Sequence, residues 1–356
     1  MPPWKADAHY RSFANERLLS LEEIALLQRW AKAGAPRGNL GNVTISTASF
    51  TVVSPDLVLH PKAAYRIKGN YTEHFVLYKI PFVLDSNKSI GRIAFVAGNR
   101  KLVHHANYAV QAVEPDTDIN QGRDLIESDQ FMSNAGEYRP FLKTLVYYGG
   151  WVPGASEQAF PSGMGFTMPR RGVIILTVHY GPSPQDTSDL SQLNLYFAHA
   201  KVTRPLRGIS IGSAGVGSIT PPLVLPADSI KKFRAQWEVP GDISLLYIWP
   251  HMHLLGKKFR AWATLPTGEK VPLVSVPAWD FRWQESYKVK QLIHLPAGTV
   301  ITVDGTYDNT ARNPNNPFSP PQRIVSQDLM ESRSEMLNLV LILLPYEEGD
   351  EKKDIN

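Results

Sequence analysis

The sequence predicts an all-β protein of two antiparallel sandwiches preceded by a short helical segment, and three observations carry that expectation. The 356 residues include 28 prolines and 25 glycines, which cut the chain into short pieces, and 14 tyrosines, 14 phenylalanines and 8 tryptophans, which suit pleated, half-buried surfaces. β-rich runs recur at 46–53, 75–83, 90–103, 171–180 and 193–202 between clusters of Gly, Pro, Asn and Asp, the spacing of a sandwich. A second set follows at 243–248, 259–264, 291–295, 300–307 and 336–344. Between the two sets, residues 205–228 are rich in Gly and Pro and read as a crossing into a second unit. A chain of this length holds two domains of about 100–200 residues each.

Four stretches result: a helical segment over 1–39, a first sandwich over 40–205, a second over 206–346 and a charged tail over 347–356. In the first, Ser20 and Glu23 form a capping box, Ile24, Leu27, Trp30 and Ala31 share a helical face, and Gly34 is a stop. One amphipathic helix cannot bury its own stripe, so it either packs on the body or belongs to a larger module. The Asn- and Pro-dense stretch 309–321 reads as a surface excursion, and the tail as disordered.

Composition narrows the function. A net charge of +4 without blocks of like charge or a basic–aromatic stripe argues against nucleic acid as partner. The chain has no cysteine, which excludes disulfides, iron–sulfur ligation, thiolate zinc sites and covalent haem attachment within it. No apolar run approaches the roughly 20 residues that span a bilayer. The first residues, Met1 to Lys5, hold no signal-peptide apolar region, which fits a cytoplasmic protein or a start other than the biological one.

The chemistry concentrates in histidines. The apolar run 243–248 ends in Trp249-Pro250-His251-Met252-His253. Strand alternation points His251 and His253 to one face, a chelating arrangement for neutral imidazoles. His104 and His105 are adjacent and reach one ion only where a strand ends or is distorted. The apolar run 174–178 terminates in His179, and Met336 stands just ahead of a further apolar run. Each taken singly has an ordinary structural explanation: a core-strand histidine is usually hydrogen-bonded, and a methionine usually fills the core. His9, His60, His74, His199 and His294 match no ligand pattern and read as structural or surface residues.

In order, His104-His105, Val178-His179-Tyr180-Gly181, His251-Met252-His253-Leu254-Leu255-Gly256 and Ser334-Glu335-Met336-Leu337-Asn338 resemble the ligand segments of the copper type II, ascorbate-dependent monooxygenases. This is the family of peptidylglycine α-hydroxylating monooxygenase and dopamine β-monooxygenase, and the likeness, closest to its bacterial branch, runs from about 40 to 346. Tyr148 to Gly154 and Pro161 to Phe166 resemble it too. The resemblance implies two jelly-roll-like sandwiches, each holding one of two copper ions beside a solvent-filled cleft. His104, His105 and His179 would hold the electron-supplying copper; His251, His253 and Met336 would hold the oxygen-activating one. It further implies dioxygen and a small-molecule substrate, with ascorbate or an upstream haem c as reductant, and a periplasmic or secreted location. Residues 1–4, 13–20 and 30–36 resemble the tail of a c-type cytochrome domain, in which Met1 would be a candidate axial ligand.

Departures from the family matter for substrate. Trp249 and Val340 stand where the peptide hydroxylase carries an arginine and a tyrosine that hold a carboxylate, and an apolar pair cannot make those charge-assisted bonds. Peptide α-amidation is therefore not expected. Asn338 matches and is a candidate for orienting substrate or for capping a turn. Thr177 replaces a glutamine, and Gln111 and Leu337 stand where cysteines are common. The leading expectation is a dicopper hydroxylase of an activated C–H bond in a neutral or apolar molecule. The alternatives are a copper-binding sandwich without turnover, acting as sensor, store or assembly partner, and a zinc hydrolase, for which no carboxylate stands beside His251 and His253 to serve as ligand or base.

Overall fold

The computed structural model describes residues 4–38, 53–127, 130–155, 157–213, 215–326 and 334–355. The expected strand over 46–53 lies outside them except at its last residue, as does Met1. The protein is mostly β, in several small antiparallel sheets, with a short N-terminal helix.

Two sheets form the first half. One runs in the order Leu57–Leu59, Gln192–Phe197, Lys88–Val96, Met164–Met168 and Arg204–Pro205. The other runs Leu125–Glu127, His74–Val83, Arg171–Tyr180, Val103–Ala112 and Val146–Trp151. In the second half Arg207–Gly212, Asn338–Pro345, Ile243–His251 and Tyr287–Leu295 make one sheet. Ser218–Thr220, Ser229–Glu238, Val300–Asn309, Gly256–Thr264 and Lys270–Val276 make the other. The hydrogen-bonded sheets thus change over between Pro205 and Arg207. The central strands Arg171–Tyr180 and Ile243–His251 are buried along nearly their whole length, which is why both read as continuous apolar runs.

The structure departs from the sequence reading at three places. The run 90–103 is not one strand: it breaks at Gly98-Asn99, where the Asn99 carbonyl accepts from the Val103 amide at 3.0 Å, and a new strand begins at Val103. A second helix, Phe131–Tyr138, rests on a sequence with weak helix formers and escaped the sequence reading. The stretch 309–321 is the expected surface excursion, anchored at its start. Asn309 is wholly buried, and its Nδ2 donates to the carbonyls of Leu225, Pro226 and Gln322.

The charged tail is also ordered as far as residue 355. Asp350 is fully buried; it accepts from both guanidinium nitrogens of Arg204 (3.0 and 2.9 Å), from Ser244 Oγ (2.7 Å) and from Lys353 Nζ (2.8 Å). Ile355 enters the core. A run of charges reads as solvated when partners distant in sequence cannot be seen.

Near the N-terminus, the Ser20–Glu23 capping box forms on the helix Leu21–Lys32, and none of that helix's residues is buried. The residues before it do pack: Phe13 and Trp4 lie against Tyr287, with ring centroids 4.9 and 5.1 Å away. The Asp7 and Ala14 amides donate to Ser275 and Lys288 carbonyls. This segment is therefore part of the body's surface. No helix among the described residues is long and apolar enough to cross a membrane.

Candidate metal centre

Strand register places the first histidine group. His179 lies opposite His105 on one neighbouring strand and opposite Phe75 on the other. The ladder then slips: Tyr180 pairs with Val103, and His104 is the extra residue of a bulge. That slip lets two adjacent histidines approach a third. The ring centroids of His104 and His105 lie 5.1 and 5.0 Å from that of His179. Two imidazoles bound tetrahedrally to one ion through nitrogens at about 2.1 Å place their centroids about 5 Å apart.

The nitrogens themselves make the case sharper. Nδ1 of His104 and of His105, and both ring nitrogens of His179, are buried without a hydrogen-bond partner among the described residues. Buried polar atoms are normally satisfied, so a cluster of orphaned imidazole nitrogens marks a place for a ligand-hungry ion. Glu73, absent from the sequence reading, also converges there. Its Oε2 lies 3.3 Å from His179 Nε2, too poorly aligned for a hydrogen bond, and one ligand atom from each of Glu73, His104 and His179 falls within 4.8 Å of the others. His105 is not in that group.

The second group forms at the end of Ile243–His251. The His251 and His253 centroids are 5.0 Å apart. His251 pairs with Asn338 and Trp249 with Val340 across the ladder, so all four positions repeat with period two. Hydrogen bonds to Nδ1 set the tautomers. His253 Nδ1 donates to the Ser334 carbonyl at 3.0 Å, which leaves its lone pair on Nε2. His251 Nδ1 bonds to Gln284 Oε1, with the same consequence. The Tyr307 hydroxyl donates to the Met336 carbonyl at 2.6 Å and pins the backbone that presents the thioether.

One cavity of about 80 Å³ is lined by both groups: His105 and His179 on one side, His251, His253 and Met336 on the other. Phe281 stands between the groups, its centroid 5.4 Å from His105, 5.8 Å from His179 and 5.5 Å from His253. Asn107, Thr177, Trp249, Asn338 and Val340 complete much of the wall. Asn338 Nδ2 donates to Ser210 Oγ at 2.9 Å, whereas Asn338 Oδ1, Asn107 Oδ1 and Trp249 Nε1 have no partner among the described residues.

Electrostatics favour neutral imidazole, the ligating form. Burial holds His105 and His179 well below the usual histidine range, helped by neighbouring imidazoles. It lowers His104 and pulls His251 down to about 4. Glu73 is raised by burial, against the pull of His104 and Arg282. Glu335, a buried carboxylate beside Met336, is pushed up to about 8 by desolvation. It accepts from the amides of His253 and Leu255 at 3.0 and 2.7 Å. The carboxylate that the sequence reading missed beside His253 thus exists, but its oxygens are committed to backbone.

Two results follow. In the metal-free protein the folded state binds these protons less readily than the unfolded chain, where imidazole titrates near about 6.5. The histidines' share of stability should be full above about pH 6.5 and decline as the pH falls towards about 4, where His251 itself protonates, whereas Glu335, raised to about 8, acts in the opposite sense and costs stability as the pH rises towards that value. Thermal melts of His251→Ala beside the unsubstituted protein check the histidine share: the acid-side loss should be smaller in the variant, and an identical loss contradicts it. Gly181→Ala should weaken metal at the first group without deleting a ligand, since a Cβ there would sit 2.6 Å from His104 Nε2. A loss of about 10- to 100-fold in affinity, the range for misplaced ligands, is expected in a chelator competition.

No family model matches the chain, and no curated protein matches it. Among solved structures, it is similar at TM-score 0.26 to PNGF-II (8% identity, 82% of this chain, 62% of that one). It is similar at 0.21 to the VP2 subviral particle of infectious bursal disease virus (8% identity, 86% and 76%). An allantoicase follows at 0.19 (8% identity, 69% and 79%). The chain spans less than two thirds of the PNGF-II structure, and likenesses this slight bear on neither fold nor function.

Proposed function

We propose that this protein is a dicopper monooxygenase, with His104, His105 and His179 holding one ion and His251, His253 and Met336 the other. The observation that carries the reading is the convergence of two unlike sets of donors on one cavity, the imidazoles of His105 and His179 and, with them, His251, His253 and the thioether of Met336. Imidazole serves both copper oxidation states, and a thioether favours Cu(I). Bound copper would supply one electron per centre and the activation of dioxygen. In balance, R–H, O2, two electrons and two protons give R–OH and water, with the electrons drawn from ascorbate or a cytochrome. A periplasmic or secreted location belongs to the same reading.

The chain's own contribution is geometry and solvent control. Ser334 and Gln284 fix the tautomers of His253 and His251. Phe75, Phe281, Trp249 and Val340 give the cavity apolar walls. Among the described residues no carboxylate or cationic side chain of Lys or Arg lines it, which disfavours charged substrates. The unpartnered Asn107 and Asn338 oxygens and Trp249 Nε1 suit a neutral molecule with a hydroxyl or amide group. At about 80 Å³ the cavity takes a few waters or dioxygen and a small group, so a larger substrate needs the walls to part.

A second reading has its own support. Glu73, His104 and His179 are a two-histidine, one-carboxylate set of the kind zinc hydrolases use. Copper-loaded protein given ascorbate and a panel of small neutral molecules should consume oxygen in proportion to hydroxylated product. Two coppers without oxygen use would favour a binding protein. Ester or amide hydrolysis by the zinc form, lost in Glu73→Gln, would favour the hydrolase.

A further inference from the structure

Gln284 is almost wholly buried and lies in the segment between two strands of the second half, where no motif marks it. Its amide touches both histidine groups. Oε1 accepts from His251 Nδ1; Nε2 donates to His105 Nε2 at 3.2 Å and to the Phe281 carbonyl at 3.0 Å. The Phe281 contact decides the amide's orientation, because the reverse would set two oxygens against each other.

We propose that Gln284 couples the two groups antagonistically: its single amide readies either His105 or His251 as a metal ligand, but not both. This rests on the reading that both groups take metal. As the amide stands, His251 carries its proton on Nδ1 and has its lone pair on Nε2. His105 instead spends its Nε2 lone pair on the amide N–H, so its proton is on Nδ1, the nitrogen that has no hydrogen-bond partner among the described residues and that would have to serve the first group. For His105 Nδ1 to ligate, the proton must move to Nε2, which then needs an acceptor. The amide must turn over, presenting Oε1 to His105 and an N–H to His251 Nδ1. That contact draws the His251 proton to Nε2 and removes the lone pair the second group uses. The Phe281 carbonyl biases the amide towards the orientation that readies His251, so the His251 group fills first. Gln284 is a positioning residue, acting through two imidazoles.

Anaerobic Cu(I) titration against a chromophoric chelator tests this. In His253→Ala the first group is read alone; its affinity should exceed that of the second equivalent in the unsubstituted protein by about 10-fold, within the usual range of site–site coupling. Gln284→Glu supplies only acceptors, so His105 Nε2–H and His251 Nδ1–H can donate together, and the ratio should fall within about twofold. Gln284→Leu removes the bridge and should do the same, which guards against misfolding of the Glu variant beside the Phe281 carbonyl. A ratio near one without substitution, or an unchanged ratio in both Gln284 variants, overturns the coupling while leaving the dicopper reading intact. No Cu(I) bound at either group overturns that reading and this inference together.

Discussion

Met336→Ile is expected to abolish substrate-dependent oxygen uptake while copper remains at His104, His105 and His179. Isoleucine keeps the apolar bulk that a nearly buried position requires, so the fold should survive. What it removes is the one soft donor among the cavity's ligating groups. Loss of a direct ligand should exceed the 10- to 100-fold typical of outer partners, so activity is expected to fall by more than about 100-fold, with copper content dropping from two to one per chain. Oxygen uptake and metal analysis on the same sample read both. Full activity with isoleucine would remove Met336 from the chemistry.

Asp350→Ala should be the most destabilising single change outside the core. The carboxylate is fully buried, and its partners hold it well below the usual carboxylate range against the cost of burial. Removing it leaves the Arg204 guanidinium, whose side chain is only 10% exposed, with Glu347 and the Pro345 carbonyl alone, and takes the acceptor from Ser244 Oγ. Breaking one partner of a buried pair costs about 3–5 kcal/mol, which for a chain of this size lowers the melting midpoint by roughly 4–7 °C. Arg204→Met with Asp350→Leu, which removes both charges, should recover much of the loss. A wild-type melting curve for Asp350→Ala would mean that the tail carries no stability.

What could be read from sequence follows the range of the interaction. Strand alternation in Ile243–His251 is local, and so is the Ser20 capping box; both were legible from neighbours alone. The pairing of His104 with His105 was readable as a need for distortion, and a bulge at His179/Tyr180 meets that need. Glu73 and Gln284 had no such signal. Each stands in a stretch without periodicity, and only the register of Phe75 against His179 and the turn after Phe281 bring them to the imidazoles. Asp350 was misread for the same reason, its partners Arg204 and Ser244 lying more than a hundred residues away. The jelly-roll detail implied by the resemblance does not follow from the sheet orders.

X-ray absorption on the Cu(I)-loaded protein bears most directly on the central claim of two unlike copper centres. Two coppers per chain should show, on average, one sulfur for every two metals among nitrogen neighbours, and the sulfur contribution should vanish in Met336→Ile. Nitrogen- and oxygen-only coordination in the unsubstituted protein, or a single copper bound through Glu73, His104 and His179, would contradict it.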